Sequence, residues 1–302
     1  MTKPLFTGVM TAIVTPFKES GDVDVDGLRA VIEDQLAQGV HGIVACGTTG
    51  EAATLTAEER VQVIKHTVEQ CKGRAPVIAG AGHNSTRVAC DLQKEVKALG
   101  ADGSLQVTPW YNKPTQEGLY RHFRAVTEAA AMPTVLYNVP GRCSVDMSAE
   151  TVIRLAKDDK HMVAVKEATG IIGRSQAILG GIAGHRDDFA VLSGEDTFIL
   201  GLLAIGGHGV VSVISHLCGS DLVAMFDAFH AGKHDEAARL SAKITPLQPA
   251  LFFRPNPVPT KAALAMGRLE GKMGPHVRLP LLELTAEERE DLAGRLQAAG
   301  YA

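Results

Sequence analysis

Met162-Val-Ala-Val-Lys166-Glu-Ala-Thr169 runs four apolar residues straight into a lysine. If that run is a strand buried on both faces, its end delivers an amine into an apolar interior. Two readings are open: an edge lysine whose stem carries the charge out to water, or a desolvated amine able to form a Schiff base with a carbonyl compound. Gly47-Thr48-Thr49-Gly50-Glu51 also ends an apolar run, with glycines, two hydroxyls and free backbone N–H groups. Such a turn either holds a small carboxylate or is an ordinary Gly-rich connection between strand and helix. In Leu136-Tyr137-Asn-Val-Pro140-Gly-Arg142 the phenol either fills space at a strand end or relays protons near an imine. Arg142 is either a solvated charge or the holder of a carboxylate. Thr108-Pro-Trp110-Tyr111-Asn-Lys-Pro114 places two aromatics on a proline-bounded loop, as a plug for the strand ends or as a subunit contact.

Other chemistries find less support. Gly80-Ala-Gly82-His-Asn-Ser85 lacks the third glycine of a dinucleotide fingerprint, and a turn capped by Ser85 explains it more simply. The eleven histidines form no HExxH motif and no Cys/His cluster, so no metal site is expected. His230 and His234 are four apart, but Gly232 between them weakens any helix that would present both, leaving a solvated pair.

The elements that must carry these residues alternate. Strand-like runs lie at Val9 to Val14, Gly42 to Cys46, and near 76–81, 104–108, 134–139, 162–166, 189–193 and 209–214. Between them come helical patterns, such as Leu28, Val31, Ile32 and Leu36 on one face. Another follows the capping box Thr56-Ala-Glu-Glu59, with a stripe of Val61, Ile64, Val68 and Cys71. Eight strand–helix pairs within about 230 residues predict an α/β fold of the (β/α)8 TIM barrel kind, with a doubly wound sheet as runner-up; either puts chemistry at the carboxyl ends of the strands. After residue 232 helical patterns take over: Glu236 to Ile244, Pro259 to Leu269, and a helix opened by Thr285-Ala-Glu-Glu288. The expected division is therefore a catalytic barrel over 1–232 and a small C-terminal α-helical domain over 233–302.

The chain has 302 residues, 45% of them hydrophobic, and a formal charge of −4. That is enough for a large core, and it offers no basic field for nucleic acid or anionic membranes. Cys46, Cys71, Cys90, Cys143 and Cys218 are odd in number and lack paired spacing, which predicts reduced thiols and a cytoplasmic location. Cys46 reads as a core filler. The apolar stretch Val9 to Val14 is too short for a signal-peptide core, so none is expected. The run from Phe198 to Ile214 is apolar enough to suggest a membrane span, but Gly206-Gly207-His208 interrupts it, predicting a short helix, a turn and a strand.

Taken together, Gly47-Thr-Thr-Gly-Glu51, Tyr111-Asn-Lys-Pro-Thr-Gln-Glu-Gly118, Tyr137-Asn-Val-Pro-Gly-Arg142 and Val165-Lys-Glu-Ala-Thr-Gly170 resemble the dihydrodipicolinate synthase (4-hydroxy-tetrahydrodipicolinate synthase) family of pyruvate-dependent class I aldolases. Pro255-Asn-Pro-Val-Pro259 and Arg278-Leu-Pro280 extend the match into the C-terminal region, and it is the order and spacing of the set that make it specific. The resemblance implies a lyase that condenses pyruvate with L-aspartate 4-semialdehyde, the entry to the diaminopimelate route of lysine biosynthesis. By this match Lys166 forms the imine with pyruvate, so no cofactor and no metal is implied. Thr48 and Thr49 bind the pyruvate carboxylate, and Tyr137 relays protons with Thr49 and Tyr111. Arg142 holds the semialdehyde carboxylate, and Val211 lines the pyruvate site through its backbone. Tyr111 reaches the neighbouring subunit's site, which implies a homo-oligomer: at least a dimer, and a tetramer built as a dimer of dimers. In many family members lysine inhibits from an interface pocket lined by a serine, two histidines, an asparagine, a glutamate and a tyrosine. The matching positions here are Ala52, Ala57, Arg60, Asn84, Val88 and Trp110, of which only Asn84 is kept. Related lyases acting on sialic acid or sugar acids share the fold and the lysine but lack the Thr48–Thr49 pair and the arginine. A non-catalytic ligand-binding protein on the same fold has no need of a reactive amine.

Overall fold

The computed structural model describes residues 3–301. Eight parallel strands close into a barrel in chain order: β1 (Gly8–Ala12), β2 (Gly42–Ala45), β3 (Val77–Gly80), β4 (Gly103–Val107), β5 (Thr134–Asn138), β6 (Met162–Glu167), β7 (Ala190–Ser193) and β8 (Gly209–Ser212). Helices separate successive strands, so the expected (β/α)8 barrel forms and the doubly wound sheet does not. A barrel strand faces side chains inside and helices outside, which is why these runs are apolar without alternation. Both β2 and β7 are buried at every position.

By their contacts the described residues fall into two compact units. One joins Val9–Ala75 with Ser212–Ala302 and so contains β1 from Val9 onward, β2 and the helices His234–Ile244, Leu247–Leu251, Val258–Met266 and Ala286–Ala299. Its helix Ala57–Cys71 opens on the expected capping box, Thr56 Oγ1 accepting from Glu59 N at 3.2 Å and Glu59 Oε2 from Thr56 N at 2.9 Å. Its buried face is Val63, Ile64, Thr67 and Cys71, turned from the expected stripe. Thr67 hides because its hydroxyl donates to Val63 O at 2.8 Å, within its own helix. In helix Val25–Ala37, Gln35 is buried beside Leu28, Val31 and Ile32, its Oε1 accepting from Thr11 Oγ1 at 2.8 Å. His216, fully buried on helix Ser215–His230, accepts from Val14 N at 3.2 Å through Nε2, and its Nδ1 lies 2.8 Å from Val213 O. Burial pushes its pKa down to about 4.

The other unit runs from Pro76 to Val211, with the N-terminal stretch up to Gly8. Here a Cβ on Gly82 would lie 2.5 Å from Val107 N, so that glycine answers a close backbone approach to β4. Ser85 stands at the N-cap of helix Thr86–Ala98 but makes no side-chain cap bond. His83 Nδ1 instead accepts from Ser85 N at 2.9 Å, which corrects the capping role expected of the serine. The apolar stretch before β8 breaks as expected, into helix Ile199–Ala204 and a turn where Gly206 has φ +91°. Among the described residues no helix is long and apolar enough to cross a membrane.

Candidate active site

Lys166 lies on β6 directly beside Tyr137 on β5 in the strand register. Successive strand residues face opposite sides, and Glu167 takes the outer one: its carboxylate accepts from Asn138 Nδ2 at 3.2 Å and lies 3.9 Å from Arg174 on helix Ile172–Ile182. Lys166 and Tyr137 therefore share the inner face. Lys166 is 6% exposed, with Nζ 4.3 Å from the centroid of the Tyr137 ring. No carboxylate among the described residues pairs with it. Gly194, just past β7, lies against the lysine stem, where a Cβ would meet Lys166 Cε at 3.0 Å. The aliphatic chain of Lys166 is thus held between a phenol face and a bare backbone.

The turn after β2 is built differently, by polar groups from distant parts of the chain. Thr15 Oγ1 donates to Gly50 O at 2.7 Å. Asn256 Nδ2 donates to Thr49 Oγ1 at 2.8 Å, both residues being buried. The Glu51 carboxylate accepts from Lys261 Nζ, and at 3.1 Å from the backbone N–H of Arg278. Lys261 also donates to His276 O at 2.8 Å, and its Nζ sits 4.1 Å from the centroid of the Phe17 ring. The Arg278 guanidinium lies 4.2 Å from that same centroid. Desolvation brings the Lys261 pKa down to about 8 against the opposing pull of Glu51. These bonds hold a turn whose ends are in the left-handed region, Cys46 at φ +52° and Glu51 at φ +53°. Thr49 is 2% exposed and Thr48 half-buried. Burial pushes the Cys46 thiol up to about 12, so it fills the core as the sequence predicts and is no nucleophile.

Arg142 lies exposed on the short helix Pro140–Cys143 that follows β5. The loop carrying it is tied back by Asn138, whose Nδ2 donates to Asp146 Oδ1 at 3.0 Å while Oδ1 accepts from Met147 N at 3.0 Å. Val211 is buried on β8. Tyr111, at φ +73°, is 90% exposed and does not fill this chain's own strand ends, whereas Trp110 packs edge-on to His83 with ring centroids 5.5 Å apart. His230 and His234 set their rings at 5.8 and 5.2 Å from Phe229, on either side of the turn between two helices. No group of three or more His, Cys, Asp or Glu among the described residues could hold a metal ion.

Lys166, Tyr137 and the threonine turn were expected from the sequence, whereas Asn256, Lys261 and Gly194, which lie against them, were not. Gly194 carried a signal, as a glycine directly after an apolar strand. Lys261 carried one too, as a single charge inside the apolar helix Val258–Met266.

Three comparisons bear on this arrangement. The model of the dihydrodipicolinate synthetase family matches residues 5–299. The 4-hydroxy-tetrahydrodipicolinate synthase of Maridesulfovibrio salexigens is 47% identical over 295 residues, covering 98% of this chain and 99% of the relative. The crystal structure of dihydrodipicolinate synthase from Thermotoga maritima superposes with a TM-score of 0.94 at 40% identity, covering 99% of this chain and 100% of the other. The enzyme from Cyanidioschyzon merolae, crystallised with lysine bound, gives a TM-score of 0.94 at 41% identity over the same shares of the two chains. With a family model spanning almost its whole length and relatives of this similarity, the chain belongs to the dihydrodipicolinate synthetase family.

Proposed function

We propose that this chain is a lyase that condenses pyruvate with L-aspartate 4-semialdehyde to 4-hydroxy-tetrahydrodipicolinate through an imine on Lys166. The observation that carries the reading is a buried lysine with no carboxylate partner among the described residues, its amine set over a phenol ring. An amine kept for structure is paired, as Lys261 is with Glu51. The Lys166 amine adds to the pyruvate ketone and the carbonyl oxygen leaves as water. The resulting iminium is an electron sink, so a methyl proton departs through Tyr137 and the enamine attacks the aldehyde carbon of the semialdehyde. The new alkoxide takes a proton from the relay of Tyr137, Thr49 and Tyr111. The amino group of the semialdehyde then adds to the imine carbon, closing the ring and releasing Lys166.

In this reading the turn of Thr48 and Thr49 receives the pyruvate carboxylate, Arg142 the semialdehyde carboxylate, and the backbone at Val211 lines the pyruvate site. No external cofactor enters. The barrel of residues 1–232 is catalytic, and the helices of 233–302 form a C-terminal domain whose Asn256 and Lys261 brace the threonine turn. The exposure of Tyr111 supports a homo-oligomer in which that residue serves a neighbouring subunit, a tetramer built as a dimer of dimers. The five free cysteines support a cytoplasmic location. Borohydride reduction in the presence of pyruvate should add a pyruvate-derived mass to the peptide carrying Lys166. An adduct on another lysine, or none, defeats the reading. A panel of aldehydes offered with pyruvate then separates the semialdehyde from sugar-acid or sialic-acid chemistry by which one is consumed.

A further inference from the structure

We propose that Glu167 is a positioning residue for the second substrate: it ties the loop that carries Arg142 to the strand that carries Lys166. The assignment rests on the role given to Arg142 above. In that role the semialdehyde bridges the enamine on Lys166 and the Arg142 guanidinium, so the register between β6 and the loop decides whether both ends are reached. Arg142 itself is exposed, and its short helix is closed by its own backbone, Arg142 N donating to Val139 O at 3.0 Å and Ser144 N to Pro140 O at 2.9 Å. What sets that helix against β6 is the base of the loop.

The base is a polar knot centred on Asn138, the last residue of β5, which stands beside Glu167 in the strand register. Its amide has two N–H donors and uses both, on Asp146 Oδ1 at 3.0 Å and on Glu167 Oε2 at 3.2 Å, while its oxygen accepts from Met147 N at 3.0 Å. Arg174 closes the far side, donating to Met147 O at 2.7 Å and to the Asp146 carboxylate, with Nε 3.9 Å from Glu167. Glu167 Oε1 accepts from Thr169 N at 2.8 Å, so both carboxylate oxygens are engaged. Glu167 is 4% exposed, and desolvation raises its pKa against the pull of the Thr169 and Asn138 hydrogen bonds. An apolar side chain would fill that space without the cost of burying a charge. Lys166 beside it takes no carboxylate partner among the described residues, so Glu167 is not a counter-ion for the amine either. From outside, Gln116 Nε2 donates to Asp146 O at 2.7 Å and its Oε1 accepts from Ser148 N at 2.9 Å. The loop therefore stays attached when Glu167 is changed, and only its register on β6 is released.

The test uses the full-length enzyme with Glu167→Gln, alone and in an Arg142→Ala background. It reads borohydride trapping of pyruvate, the KM for pyruvate, and kcat/KM for L-aspartate 4-semialdehyde. The expected result is a semialdehyde kcat/KM about 10-fold lower, with trapping and the pyruvate KM within about twofold, as suits a displaced carboxylate holder beside an intact amine. In the Arg142→Ala background the same substitution should cost less than about twofold more, because both changes act through one guanidinium. A general loosening of the fold would lower trapping as well, and its losses would multiply. Either of those results, or a semialdehyde kcat/KM within about twofold of the parent, overturns the proposal. Should Glu167→Gln lose its cooperative thermal unfolding transition, Asp146→Asn decides by the same readouts, since it reaches the knot from the loop side. Its expected loss is about fivefold, confined to the semialdehyde. Failure of the parent to trap pyruvate, or an Arg142→Ala variant that uses the semialdehyde as well as the parent does, brings down the function proposed above and this assignment with it. Normal trapping and an impaired Arg142→Ala beside an unaffected Glu167→Gln bring down only this assignment.

Discussion

Lys166 and Lys261 are both buried, and the difference between them is the clearest chemical statement the molecule makes. Lys261 has a carboxylate, a carbonyl and an aromatic face around its ammonium, as a buried charge requires. Lys166 has the aromatic face of Tyr137 beside its amine and an aliphatic stem packed on Gly194, and among the described residues no carboxylate pairs with it. Arg142 makes a different kind of test, because it is exposed and its loop is anchored through Asn138 rather than through its own side chain. Arg142→Ala should leave borohydride trapping of pyruvate unchanged while weakening kcat/KM for the semialdehyde by about 1.5–3 kcal/mol, the usual worth of a charge-assisted hydrogen bond. Equal loss of trapping and of aldehyde use would show that the arginine does not discriminate between the substrates. Lys166, Tyr137 and the threonine pair were legible because each ends an apolar run, where a polar side chain is conspicuous. Asn256 and Lys261 were not, because their partners Thr49 and Glu51 lie 207 and 210 residues away and nothing local marks the pairing.

At the scale of elements the eight strands fall where the apolar runs put them, and both capping boxes form. Helix faces were less legible, because Thr67 and Gln35 are buried by satisfying their polar atoms rather than by being apolar. His216 belongs to the same class. Its Nε2 accepts from Val14 N, just beyond β1, and a proton there would break that bond. The folded pKa is about 4 against an ordinary 6.5, so the unfolded chain binds the proton more readily. The associated stability is fully present above about pH 6.5 and is lost as pH falls through about 4, amounting to about 3 kcal/mol. Buried His122, also brought down to about 4 by desolvation, acts with the same sign. Denaturant titrations between pH 7 and pH 4 should show this loss, and His216→Gln should flatten part of it. A parent profile without any decline over that range would mean that neither imidazole is kept neutral by the fold.

At the scale of the whole molecule, Tyr111 is 90% exposed in a left-handed backbone conformation, and the homo-oligomer proposed above gives it a partner in another copy of the chain. Mixing inactive Tyr111→Phe subunits with inactive Lys166→Ala subunits should regain activity in the hybrids, because one intact composite site forms. Hybrids shown by native mass spectrometry to exist yet remaining inactive would place Tyr111 in its own subunit's chemistry. Regulation can be judged in the same assay. Asn84, the one position retained from the lysine-binding set that the resemblance implies, already donates to Trp110 O at 3.3 Å, and its backbone carbonyl accepts from Asn112 at 2.9 Å. Where the resemblance implies a glutamate this chain has Val88, and where it implies a histidine it has Arg60, so a lysine ammonium held as in those relatives would lack its countercharge, a loss of about a hundredfold or more in affinity. Initial rates at half-saturating substrates should therefore be unmoved by sub-millimolar lysine; clear inhibition there would mean that the pocket has been rebuilt around other groups. The bracing of the threonine turn bears finally on the order of synthesis. Thr48 and Thr49 leave the ribosome early, but the amide, ammonium and backbone N–H that finish their turn come from Asn256, Lys261 and Arg278. A nascent chain can already carry Lys166, Tyr137 and the threonine pair and still lack the supports of the threonine turn, so the turn is completed only once the segment through Arg278 has been made.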